Sequence, residues 1–381
     1  MEQEVFHIIK NLVEKESVSP NDGNSLEYVS SFLKDIGFSC QIIQFEDVTN
    51  LYAKYGTEGK NLCFAGHVDV VPPGDLDLWH DNPFKMLIRD DRIFARGIVD
   101  MKGAIGCFMS AVKRFLENNK KIPFSISFLL TSDEEAIAKY GTVKMLELLE
   151  KQGEKIDTCI IGEMTSKERF CDCIKIGRRG SLNFQLEITG MQGHVAYPAL
   201  IDNPVHRLSR ILAELSSLQL DSGNEFFEPS GLQITDFASN SKAVNVCASK
   251  AFAKFNIRYN NNFDQQKLYD LIYTVCLKHA NHEQISLIYP DWNAHYYLSK
   301  KQIFANFVAD IVKNVLGYSP KLDTIGGATD GRFISNYCDN VIELGFIENE
   351  AHKINESCKI EEVSIIENIY YQILQKYSDY K

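Results

Sequence analysis

Three short apolar runs, each followed closely by a histidine or an acid, restrict what this chain can fold into more than any other feature. Leu62 to Ala65 leads into Gly66-His67, Ile126 to Leu130 into T-S-D-E-E at 131–135, and Thr158 to Ile161 into Gly162-Glu163. Continuous apolar runs this short are the pattern of strands buried on both faces. Between and before them lie segments of helical period. Val5, Ile8, Ile9, Leu12 and Val13 share one face over residues 2–15, and Leu26, Val29, Phe32 and Leu33 do so from about Ser25 to Asp35. A third helix follows R-G-I-V-D-M-K-G-A-I-G (96–106) and runs through Phe115. Buried strands alternating with amphipathic helices imply an α/β domain with a mostly parallel sheet and helices on both faces. Its functional residues would gather at the carboxyl ends of the strands.

The pattern changes after Lys175. Ser181 to Thr189 alternates Leu182, Phe184, Leu186 and Ile188 with polar residues, the period of an antiparallel strand with one buried face. A helix over Asn203 to Leu218, strands at Gln233 to Phe237 and Ala251 to Tyr259, and a helix from about Phe263 to His279 complete a small α+β unit. The chain then returns near Ser286 to Trp292. The helix Ile303 to Leu316, the turn G-G-A-T-D-G (326–331), a strand at Val341 to Leu344 and a helix from about Glu361 belong to the first pattern. The expected organisation is therefore a larger domain of residues 1–178 and 292–381, with a smaller domain, 179–291, inserted in it.

A formal charge of −11 over 381 residues offers no basic face to nucleic acid. No stretch of about 18 uncharged apolar residues suggests a membrane span. The opening M-E-Q-E-V-F-H has acids where a secretory leader has an apolar core, and the ten scattered cysteines show no metal-ribbon spacing. A cytoplasmic protein with reduced thiols is the expectation.

His67 and Asp69 are two apart, so in extended chain they point the same way, and the Asp69 carboxylate could fix the imidazole tautomer as a metal-bound histidine requires. Asp100 precedes small residues at a helix start, where an acid is also the residue type of a simple cap. Asp133, Glu134 and Glu135 are adjacent acids that repel one another unless a cation is near. With Glu163 and His352, the residues His67, Asp100 and Glu135 form a mixed nitrogen and oxygen donor set that suits zinc, with cobalt or manganese possible. One carboxylate can bridge two ions about 3.5–4 Å apart. Glu134 is then left over, in the position of a general base that moves a proton from water to a leaving amine. A non-catalytic metal module would have no use for it.

The runs H-V-D-V-V-P-P-G-D, D-M-K-G, T-S-D-E-E, G-R-R-G-S (177–181), Q-G-H-V-A-Y-P (192–198), F-N-I-R-Y (255–259), D-G-R-F-I (330–334) and H-K-I-N-E (352–356) occur in order along nearly the whole chain. In this the chain resembles the di-zinc aminoacylase and metallopeptidase family. The resemblance implies two zinc ions, with Co²⁺ or Mn²⁺ as a substitute for one, His67 and Glu163 on one, Glu135 and His352 on the other, and Asp100 between them. It makes Glu134 the general base and Asp69 the partner of His67. It implies that the inserted domain forms a homodimer, and that His194 reaches the partner subunit's site to steady an oxyanion. Arg178 and Arg258 would clamp carboxylates of a small anionic N-acyl diamino acid, with Asn245, Tyr197 and Gly327 as further substrate contacts. The chain departs from the family pattern at Ala328, where a hydroxyl is usual, and at Glu348, where an amide is, with Glu350 a further acid nearby. A related N-acyl amino acid deacylase with a different acyl group is the alternative within the family.

Overall fold

A computed structural model describes residues 2–119, 121–290 and 293–380. Trp292, and with it the expected boundary at 291/292, lies outside the described residues. The chain divides into two compact units. One comprises Met1–Gly177, Leu298–Asp323 and Thr329–Lys381, the other Arg178–Tyr297 and Thr324–Ala328. The short segment Thr324–Ala328 is thus grouped with the second unit, although it follows the first in sequence.

The first unit is built on an eight-stranded sheet. Its strands in chain order are β1 (Ser39–Phe45), β2 (Val48–Tyr55), β3 (Asn61–His67), β4 (Ser125–Thr131), β5 (Thr158–Ile161), β6 (Cys173–Lys175), β7 (Lys321–Asp323) and β8 (Val341–Glu343). They lie side by side as β1-β2-β4-β3-β5-β8-β6-β7. The central strands β4, β3, β5 and β8 are parallel, as are β6 and β7, while β1, β2 and the β8–β6 junction are antiparallel. Every residue of β3, β4 and β5 is buried, so both faces of the sheet are covered. That is why these strands read as continuous apolar runs rather than alternating ones.

The helices of this unit are α1 (Glu2–Val13), α2 (Ser25–Asp35), α3 (Lys102–Asn118), α4 (Thr142–Lys151), α5 (Ile303–Leu316), the short α6 (Gly331–Ile334) and α7 (Ile360–Lys376). Helix α3 packs against α1 and α7, and α7 against α5; α4 packs against α6 and β4. Helix α4 was not expected from the sequence. Its buried Met145, Leu146 and Leu149 recur at helical spacing, a signal present in T-V-K-M-L-E-L-L-E-K but close behind the acidic loop. None of the described helices is long and apolar enough to cross a membrane.

The second unit has a four-stranded antiparallel sheet with spatial order Gly231–Ser239, Lys250–Tyr259, Gly180–Thr189 and Ile285–Ile288. Leu182, Phe184, Leu186 and Ile188 join Phe255, Ile257, Leu208, Ile211, Leu215, Leu268 and Ile272 in one core, formed with the helices Pro204–Ser216 and Gln265–Leu277. Each helix starts at a side-chain cap: Asn203 accepts from Val205 N–H and Asp264 from Lys267 N–H.

Candidate metal centre

The parallel register brings three strand ends to one edge. His67 closes β3 opposite Thr131, the last residue of β4, and Ala65 stands opposite Ile161, the last of β5. Glu134 and Glu135 follow β4 after a short irregular stretch, and Glu163 follows β5. Asp100 arrives from the turn before α3. That turn is seated by Met101, whose Sδ–Cε end fills the space beside Gly66 and Gly162; a Cβ would come within 2.2 Å of it at Gly66 and 2.6 Å at Gly162. His352 has a left-handed backbone, φ 62°, a conformation that non-glycine residues adopt mainly where function or packing fixes it.

These side chains converge. Asp100 Oδ1 lies 3.1 Å from His67 Nε2, and Asp100 Oδ2 lies 3.0 Å from His352 Nε2. His352 Nε2 is also 3.0 Å from Glu135 Oε1, and His67 Nε2 is 3.5 Å from Glu163 Oε1. Among the described residues two groups could hold a cation: His67, Asp100 and Glu135, and His67, Glu134 and Glu163, the ligand atoms of each within 4.8 Å of one another. His67, Asp100 and Glu163 are buried, whereas the His352 side chain is about half exposed (49%).

Asp69 faces His67 with two of its oxygens. The nearest Asp69 atom to His67 Nδ1 is its main-chain carbonyl oxygen, at 2.9 Å, with carboxylate Oδ1 at 3.5 Å. The carboxylate also accepts from the backbone N–H of Glu134 (3.4 Å) and Glu135 (3.1 Å) and from the Ser19 hydroxyl. Asp69 therefore lies against the His67 ring and also pins the loop carrying the two glutamates.

The electrostatics are those of a crowded anionic site. Burial, then the Glu163 charge, pushes the Glu134 carboxyl well above the usual range. Burial and Asp100 raise Glu163 to about 7 and Glu135 in the same direction. Burial opposes a charged His67, but its bonds to Asp100, Asp69 and Glu163 outweigh this and hold its pKa well above normal. Asp100 and Glu135 raise His352 to about 10. Desolvation would raise Asp100, yet the two histidines hold it low. Four acids and two histidines in this space need compensating positive charge, and their hard and borderline donors fit divalent cations.

The other expected substrate residues lie in the second unit. Arg178 is buried, and its Nη1 donates to Ile325 O at 3.0 Å; it presses so closely on Gly326 that a Cβ there would overlap it, while a Cβ at Gly327 would meet nothing within 4 Å. Arg258 pairs across the sheet with Ser181, and burial and the Arg179 charge lower its pKa. The neighbouring Arg179 is held by Glu228 (3.5 Å) and Pro229 O (3.1 Å). His194 sits in a short ladder opposite Val246, edge-on to the exposed Tyr197 at 5.6 Å, and Val195 N–H bonds Asn245 O. Two departures from the family pattern find cationic partners in the first unit: Glu348 lies 3.7 Å from Lys175, and Glu350 lies 3.7 Å from Arg92.

Residues 63–376 match the profile described as "Peptidase family M20/M25/M40", and the chain belongs to this family. It is 42% identical over 97% of its length to a succinyl-diaminopimelate desuccinylase of Rickettsia bellii, covering 95% of that protein. Its fold is similar to that of an M20 family metallo-carboxypeptidase from Sulfolobus solfataricus (TM-score 0.80, 19% identity, 99% of both chains). It is also similar to that of a dinuclear metal binding peptidase of the same family from Bacillus subtilis (TM-score 0.72, 12% identity, 100% and 99% of the two chains).

Proposed function

We propose that this chain is a metal-dependent amide hydrolase that converts N-succinyl-LL-2,6-diaminopimelate and water to succinate and LL-2,6-diaminopimelate. The observation that carries the hydrolase reading is Asp100, with one carboxylate oxygen on each of the two histidines. That is the arrangement of a bridging ligand. The substrate rests on the curated relatives and on two partly or fully buried arginines, Arg178 and Arg258, suited to carboxylates.

His67 and Glu163 would hold one ion, Glu135 and His352 the other, with Asp100 shared; zinc is the metal that fits best, with cobalt or manganese as substitutes. When bound, such a pair supplies Lewis acidity and lowers the pKa of water. Glu134, on the loop pinned by Asp69, takes a proton from the attacking water and returns it to the leaving amine nitrogen. His194 steadies the oxyanion with its imidazole N–H. Arg178 and Arg258 orient the substrate by its carboxylates, with Tyr197, Asn245 and the Gly327 backbone as further contacts. The cytoplasm, where such a precursor is made, is the compartment of this reading.

The second unit supports pairing with a second copy of this chain. Gly231–Ser239 is the end strand of its sheet, Phe237 on it is 70% exposed, and a groove of about 830 Å³ beside it is lined by Val205, Leu208, Leu212, Ile234 and Phe237. An end strand with an apolar flank invites another strand.

The test is turnover of N-succinyl- and N-acetyl-diamino acids side by side by the metal-loaded protein. Release of succinate, abolished by a chelator and restored by Zn²⁺ or Co²⁺, is the expected result. Hydrolysis of only the acetyl compounds would make it a different deacylase.

A further inference from the structure

The run His352 to Glu356 meets the turn Arg96 to Asp100 twice. At one end His352 Nε2 lies 3.0 Å from Asp100 Oδ2. At the other, the fully buried Glu356 carboxylate accepts from the backbone N–H of Gly97 (3.0 Å), Val99 (2.8 Å) and Asp100 (3.3 Å), and pairs with Arg96 Nη1 at 2.7 Å. The Glu356 carbonyl accepts from Ala95 N–H at 3.1 Å, and the Arg96 guanidinium lies 5.2 Å from the Trp79 ring. The preceding Asn355 accepts from His80 N–H at 2.7 Å through Oδ1 and donates to Leu78 O at 3.1 Å.

A carboxylate that merely neutralised Arg96 would need one of these four donors. Here three N–H groups of the turn that delivers Asp100 point at the same carboxylate, so the turn is wound around it. A buried ion pair is in any case a poor source of net stability, because desolvation offsets its attraction. Its value lies in direction.

We propose that Glu356 is a positioning residue for the metal centre: by gripping the Gly97 to Asp100 backbone from the segment that also bears His352, it sets the aim of the two Asp100 oxygens at His67 and His352. The inference rests on the dinuclear reading given above. It predicts that both cations depend on Glu356, because Asp100 is shared, and that the one held with Glu135 and His352 depends on it more, because His352 lies on the same segment as Glu356.

Full-length apoprotein is titrated with Co²⁺ alone and followed by its visible absorption, with kcat and KM measured in parallel. Wild type should take up two Co²⁺. Glu356→Gln should weaken one of them by about 10- to 100-fold and the other by a smaller factor, and lower kcat with KM little changed. Glu356→Asp, which keeps the charge, should recover part of the loss. Asp323→Asn, which destabilises the same unit elsewhere, should bind both ions normally. A Glu356→Gln protein that folds only in excess Co²⁺ supports the proposal. One that fails to fold at any Co²⁺ concentration, or that binds both ions as wild type does with only a lowered melting temperature, overturns it. Wild type that binds fewer than two Co²⁺ overturns the dinuclear reading itself; two ions with an unaltered variant overturns only the role of Glu356.

Discussion

Glu134 and Glu135 are consecutive, yet their carboxylates serve different neighbours: Glu135 groups with Asp100 and His352, Glu134 with Glu163 and His67. Irregular backbone pinned by Asp69 permits this, whereas a helix or strand would fix their relative directions. Glu134→Gln removes the proton acceptor but keeps shape, so both metal ions should remain bound while kcat falls by about 10²- to 10⁴-fold, measured by metal analysis and steady-state kinetics. Arg178 is the residue on which acyl choice is expected to turn. Arg178→Ala should reduce kcat/KM for a succinyl substrate at least about tenfold more than for its acetyl counterpart, since only the former carries a second carboxylate. The role proposed for Glu134 comes from the sequence, where it is the acid left over beside a proposed ligand. The contact of the Asp69 carbonyl was not legible there, since which oxygen faces a ring depends on local backbone angles.

Lys175 on β6 is fully buried, 2.9 Å from Asp323 on β7, which also accepts from Lys167 at 2.9 Å. Burial alone would raise the Asp323 carboxyl, but its bonds to Lys175 and Lys167 bring it down to about 2. A carboxyl whose folded pKa lies below its unfolded value of about 3.9 stabilises the fold above that value and loses this contribution as pH falls toward 2. Asp323→Asn leaves Lys175 buried with only the more distant Glu348, and should cost about 3 kcal/mol at pH 7. The difference from wild type should shrink between pH 5 and 2, as read by urea unfolding. Strand β6 itself was missed from the sequence. Three residues of C-I-K carry no period, and the buried lysine argues against a strand until its partner across the parallel ladder is seen.

Across the whole molecule, the exposed end strand Gly231–Ser239 is the feature on which the proposed pairing with a second copy rests. On that proposal the wild type sediments as a dimer and Phe237→Asp as a monomer, with the core of its own unit untouched because Phe237 lies outside it. The alternating apolar runs and helical faces determined from the sequence alone that the chain is an α/β protein with a mostly parallel sheet, because burial on one or two faces leaves its period in the order of residues. The histidines and carboxylates that converge were equally legible, since most of them follow the ends of apolar runs. The tertiary structure alone decided that Thr324–Ala328 is grouped with the second unit, and that Glu348 and Glu350 stand beside Lys175 and Arg92. It also decided that Glu356 grips a turn some 260 residues away. Such pairings are set by how strands order themselves within a sheet, and sequence spacing carries no record of that order.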